Sequence, residues 1–146
     1  MSRTQARKAP EHSPPARREG FTSAMSPPRD ALIPPEPGDQ ARAQFVATLV
    51  SMVTDVPSQT IIAEGRQSMD ACRARQIAMY LTHVGFSWSM GRVGAAFGRD
   101  RTTASHACHR VEDLRDRPEF DAAMDLLEVC VRAAPRLSAR LVERSR

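Results

Sequence analysis

Cysteine is scarce in this sequence, and the three present, Cys72, Cys108 and Cys130, are not spaced for cysteine chemistry. The count is odd and no two form a CxxC, which argues against a disulfide framework and for a reducing cytosol. His106 and Cys108 stand two apart in what reads as one helix, where such neighbours diverge, so no metal site and no cofactor is expected. No apolar run approaches the roughly 18 residues that span a bilayer. The opening MSRTQARKAPEH has basic residues but no apolar stretch behind them, so neither a secretory signal nor a membrane partner is expected. No GxxxxGK[ST] loop is present, which excludes that class of nucleotide site and predicts no ATPase activity. Neither Cys108 nor the histidines come with the orienting group and pocket that nucleophilic catalysis needs, so the chain is not read as an enzyme. Aromatics are only 5% of residues. Lysine is almost missing: Arg supplies 20 of the 21 basic residues, which suits forked contacts to phosphate or guanine and equally fits the codon use of a GC-rich genome. No alternating strand pattern and no internal repeat is visible.

What is present divides at residue 39. Residues 1–39 hold 8 of the 11 prolines, with six basic and five acidic residues nearly cancelling. Proline fixes φ and removes an amide donor, so this segment is read as a disordered, extended arm. Beyond it, 41% hydrophobic content over a 146-residue chain suits one domain, taken as 40–134, with 135–146 as a short basic tail. In 39–56, Ala43, Val46, Leu49, Val50 and Val53 recur at three- and four-residue steps, an amphipathic helix that Pro57 ends. PSQTIIAEG reads as a short helical turn. A second long helix, capped by Asp70, carries Ala74, Ile77, Ala78, Leu81 and Val84 inward, with Gly85 as its stop. Ser87 or Ser89 caps a short helix holding Val93, Ala96 and Phe97. Trp88 just before it reads as hydrophobic packing or as a brace for a contact outside the protein. Pro118 opens a last helix with Phe120, Met124, Leu127 and Val131 inward, ended by Pro135.

The most specific stretch is FGRDRTTASHACHRVEDL, 97–114. Gly98 makes a tight turn and Asp100 caps the helix that follows. Ala104, Ala107, Cys108, Val111 and Leu114 form its buried stripe, which leaves Arg101, Thr102, Ser105, His106 and His109 outward. Two short helices joined by a glycine turn are a helix-turn-helix, whose second helix enters the major groove with its N-terminal residues against base edges. Arg can bond guanine O6 and N7, and threonine can meet a thymine methyl or a phosphate. The formal charge of +4 and pI of about 9.6 permit double-stranded DNA as the partner without demanding it.

RQIAMYL (75–81) followed by GRVGAAFGRDRTTASHACHRVEDL (91–114) resembles the C-terminal DNA-binding domain of the bacterial chromosomal replication initiator DnaA. That family's pattern is close to RQIAMYL, then IG-x-x-FGGRDHTTV-x-HA. The resemblance is densest over 75–114 and runs across 40–133. It implies an all-α fold, a small helical bundle with a Trp-repressor-like helix-turn-helix, in which an Asp-His-Thr-Thr segment reads an asymmetric DNA box. By position, Asp100, Thr102, Thr103 and His106 match the family's contact region. Arg75 and Gln76 match a polar pair that meets the DNA backbone, with Arg73 nearby.

The departures are Arg101 in place of His, FGRD with one glycine where the family has two, and GRQSMDAC in place of a basic loop that reaches the minor groove. Arg92 stands at a position acidic in the family. The expected base contacts are Arg101, Thr102, Thr103, His106 and Asp100, with Asp100 also capping and orienting the turn. The expected phosphate contacts are Arg73, Arg75, Gln76, Ser89, Arg92 and Arg99. The expected role is cytoplasmic and nucleoid-associated: sequence-specific binding that regulates replication initiation or transcription. The alternative is a protein-interaction module that kept the fold and lost specific DNA binding.

Overall fold

The computed structural model describes residues 36–144, with the side chains of 136–143 outside that description; the expected arm therefore lies outside it up to residue 35. Among the described residues there are six helices and no strand: α1 (Asp39–Thr54), α2 (Ser58–Ile62), α3 (Met69–Phe86), α4 (Met90–Ala96), α5 (Arg101–Leu114) and α6 (Pro118–Arg144). The architecture is the all-α helix-turn-helix bundle expected.

The middle of the bundle is α3. Its alanines (Ala71, Ala74, Ala78) let neighbours approach closely, while Ile77, Met79 and Leu81 fill the space between them. All five other helices pack against it. Val46 and Val50 of α1, Ile61 of α2, Val93 of α4, Val111 of α5 and Val131 of α6 meet in one core around Phe97. Most expected inward positions are buried, but Val53, next to the turn that leaves α1, is 60% exposed. Just beyond it Asp55 takes a left-handed conformation with φ 56°, which ends α1, and Val56 packs back against the core.

Helix boundaries follow local chemistry with three differences. Ser68, not Asp70, is the N-cap of α3, where its hydroxyl accepts from the Ala71 amide at 3.2 Å; Asp70 sits in the first turn. Gly85 does not stop α3, which runs on to Phe86 and turns at Ser87, φ 55°. A Cβ at residue 85 would lie 2.3 Å from Val131 Cγ1. The glycine is thus a seat for α6 rather than a terminator. Pro135 does not end α6, which continues to Arg144; a helix tolerates the proline at the cost of one backbone bond and a bend. Asp39 opens α1 and is fully buried.

Two arginines hold these pieces together. Arg92 of α4 grips the Asp39 carboxylate with both arms, Nε to Oδ2 at 3.0 Å and Nη2 to Oδ1 at 2.9 Å, and Nη2 also reaches Glu36 at 2.9 Å. The same guanidinium lies 4.3 Å over the Trp88 ring, which is buried, so Trp88 packs. At the other end, Arg115 caps α5 and donates to the Tyr80 hydroxyl of α3 (2.8 Å) and to Asp121, Asp125 and Glu128 of α6. This staple ties α3, α5 and α6 at one point.

Candidate nucleic-acid interface

The turn between α4 and α5 is built by close approach. Gly98 has φ 62°, a conformation that favours glycine. The chain then doubles back so tightly that the Arg99 amide donates to the Gly94 carbonyl at 2.7 Å. A Cβ on residue 94 would meet the Arg99 and Asp100 carbonyl oxygens at 2.7 and 2.8 Å. One glycine at 98 together with one at 94 therefore closes the shortened turn.

Asp100 then starts α5. Its carboxylate accepts from the Thr103 amide at 2.6 Å. That bond, the Thr103 hydroxyl and the Thr102 amide hold its pKa below the usual carboxylate range. The cap is spent on the helix's own amides, so Asp100 fixes where α5 begins.

Ala104, Ala107, Cys108 and Val111 are buried against the core; burial pushes the Cys108 thiol up to about 11, and it packs as a small hydrophobe. Their burial turns the other side out. Arg101, Thr102, Thr103, His106 and His109 are exposed. A cleft of about 440 Å³ runs along this side, lined by Met90, Arg101, Thr102, Ser105, His106 and His109. It brings together three of the five expected base contacts and leaves Thr103 and Asp100 outside its lining. Ser105 and His109 were legible as outward from the helical period without being assigned as contacts. Met90 reads in sequence as core filler; it reaches the cleft because it is the first residue of α4, across from α5.

Among the expected phosphate contacts, two are corrected. Arg75 is only 6% exposed and points inward. Its Nε donates to the Ile61 carbonyl (2.8 Å) and its Nη2 to the carbonyls of Ala63 (2.7 Å) and Thr60 (3.3 Å). It caps the C-terminus of α2, where free carbonyls and the helix dipole favour a cation. Burial and the nearby Arg99 lower its pKa, though a guanidinium keeps its proton. Arg92 is committed to Asp39 and Glu36, so its charge is already matched.

Arg99 is half-buried and donates to the Ala63 carbonyl at 3.2 Å. Ser89 is spent as the N-cap of α4, accepting from the Arg92 amide at 3.3 Å, though it stays exposed. Gln76 is half-buried, while Arg73, like Arg66 in the preceding loop, is exposed. Among the described residues, no group of three or more His, Cys, Asp or Glu side chains is placed to hold a metal ion, and no helix is long and apolar enough to cross a membrane.

A short helix, a glycine turn and a second helix whose capped first turn faces outward define a helix-turn-helix domain of the DNA-binding class. Residues 43–111 match the family model described as the bacterial DnaA protein helix-turn-helix. Residues 43–111 thus form a DnaA-like helix-turn-helix domain.

Proposed function

We propose that this domain binds double-stranded DNA sequence-specifically, with the outer side of α5 in the major groove, and that it regulates replication initiation or transcription through the sites it occupies. The observation that carries this is the α5 cleft. Directly after a rigid turn it presents a forked cation, two hydroxyls and two imidazoles on one exposed side. That is a donor-rich surface at the end of the helix where base edges lie.

Arg101, Thr102 and His106 read bases, Thr103 supports them, and Asp100 sets the start of the helix. Arg73 and Arg66 contact phosphate, with Arg99 flanking the turn. Arg75 and Arg92 do not take part, because their bonds are internal. The reading assigns the site no catalytic step, no nucleotide and no cofactor, and places the protein on the nucleoid.

The test is a fluorescence-anisotropy titration with genomic DNA fragments, repeated across salt. Arg101→Ala is expected to weaken specific binding by about 1–3 kcal/mol and to relax base preference at one position. Unchanged affinity and preference in that variant removes Arg101 from the site. A genome-wide binding map then separates origin occupancy from promoter occupancy.

One observation favours a second reading, a protein-interaction module. Two cations expected to face DNA are neutralised or buried within the fold. Absence of any DNA affinity at low salt selects that reading.

A further inference from the structure

The family match ends at residue 111, so α6 lies wholly beyond it. One side of α6 closes the core through Met124, Leu127 and Val131. The other side is apolar as well. Ala122, Leu126, Val129, Cys130 and Ala133 recur at steps of three and four, which makes a second stripe down the same helix. Leu126 is 67% exposed and Val129 64%, and the Cys130 thiol is exposed beside them. A contiguous apolar stripe of this kind marks an interaction surface rather than scattered surface leucines.

Charge divides the helix at the middle of that stripe. Glu119, Asp121, Asp125 and Glu128 occupy the first half; Arg132, Arg136, Arg140 and Arg144 occupy the second, with Glu143 the one exception. Arg115 bonds three of the four acids but offsets only one charge. Such a helix repels a parallel copy of itself and complements an antiparallel one. A two-fold axis between residues 129 and 130 sets the acidic half of each copy against the basic half of the other. In the same register Leu126 meets Ala133 of the second copy and Val129 meets Cys130, so large residues oppose small ones. Position 119, acidic, meets position 140, basic.

We infer that the outer stripe of α6 is a self-association surface, occupied by α6 of a second copy of this chain in antiparallel register. The inference stands apart from the DNA reading. If both hold, the dimer carries two copies of α5 related by a two-fold axis, the arrangement that reads inverted half-sites.

Sedimentation velocity on the full chain, over a concentration series, is expected to show a reversible dimer that high salt weakens. Leu126→Glu should weaken it about tenfold or more. Glu119→Arg and Arg140→Glu should each weaken it, and combining the two should restore it. In a Cys72→Ser background, mild oxidation with diamide should cross-link the two copies through Cys130, and Cys130→Ser should abolish the cross-link. Circular dichroism checks that each variant keeps its helices; should Leu126→Glu unfold, the charge exchange decides. A chain that stays monomeric at every concentration overturns the inference, whether or not some other protein binds the stripe. So does a dimer indifferent to Leu126→Glu, one that the double charge exchange does not restore, or one whose Cys130 thiols do not cross-link.

Discussion

Replacing Arg75 by alanine separates the fold from the interface, because the resemblance and the structure give this residue opposite jobs. In the structure its guanidinium holds three carbonyls at the end of α2. The bond to Ile61 at 2.8 Å is buried, so its loss leaves an unsatisfied acceptor. The Ala63 carbonyl keeps Arg99 at 3.2 Å, and the Thr60 bond is long. Hydrogen bonds to charged groups contribute about 1.5–3 kcal/mol, and an orphaned buried acceptor costs about 1–3 kcal/mol. A net loss of about 3 kcal/mol follows, or roughly 12–20 °C in melting temperature for a domain of this size. Arg75→Lys should recover little, since an ammonium cannot span the forked arrangement.

The assay pairs thermal circular dichroism with a salt series of DNA titrations below the melting transition. The folded fraction of Arg75→Ala should bind with an unchanged salt slope. Arg73→Ala is the control: its melting point should hold while the slope falls by about 0.9. If Arg75→Ala melts like the wild type and flattens the slope, the side chain contacts phosphate and the inward geometry is wrong.

Asp39→Asn should destabilise the domain by about 3 kcal/mol, since it leaves Arg92 without its buried partner; denaturant unfolding measures it. The Arg92 bonds hold the Asp39 pKa below its ordinary 3.8. Its contribution is therefore intact above about pH 4 and is lost as pH falls through the lowered folded value. The mutant should lack that part of the wild type's acid sensitivity. Asp100→Ala should lower the melting temperature and blur base discrimination, and Asp100→Ser, which also caps, should restore both; equal behaviour of the two variants would remove the capping role. Gly85→Ala places a methyl in the space held by Val131 and should cost about 1–3 kcal/mol despite alanine's better helix propensity. Combined with Val131→Ala it should cost less than the sum of the two single changes, as a double-mutant cycle of unfolding free energies reads out.

The residues whose partners are near in sequence were the legible ones. Ser89 and Asp100 cap amides three residues away, and the α5 stripe follows from the helical period alone. Arg92 and Arg75 read in sequence as outward cations because their partners lie 53–56 and 12–15 residues distant, and a surface arginine and a buried one look alike in a string of letters. Gly85 reads in sequence as a stop because the helix crossing that needs it is a tertiary contact with α6. Arg115 escaped notice for the same reason, although the acids at 121, 125 and 128 lie along one ridge of α6. The cleft was visible as a set of outward side chains, but its far wall, Met90, depends on where the turn directs α4.

The Ala63 carbonyl receives two guanidinium groups, Arg75 from the long central helix and Arg99 from the tight turn ahead of α5. A single backbone oxygen thus joins the loop at 63–68, the central helix and the turn ahead of α5. A change in that loop is therefore expected to shift the angle at which α5 is held. On the proposed reading, the Ala63 carbonyl, which contacts no base itself, is then a place from which base preference can be altered.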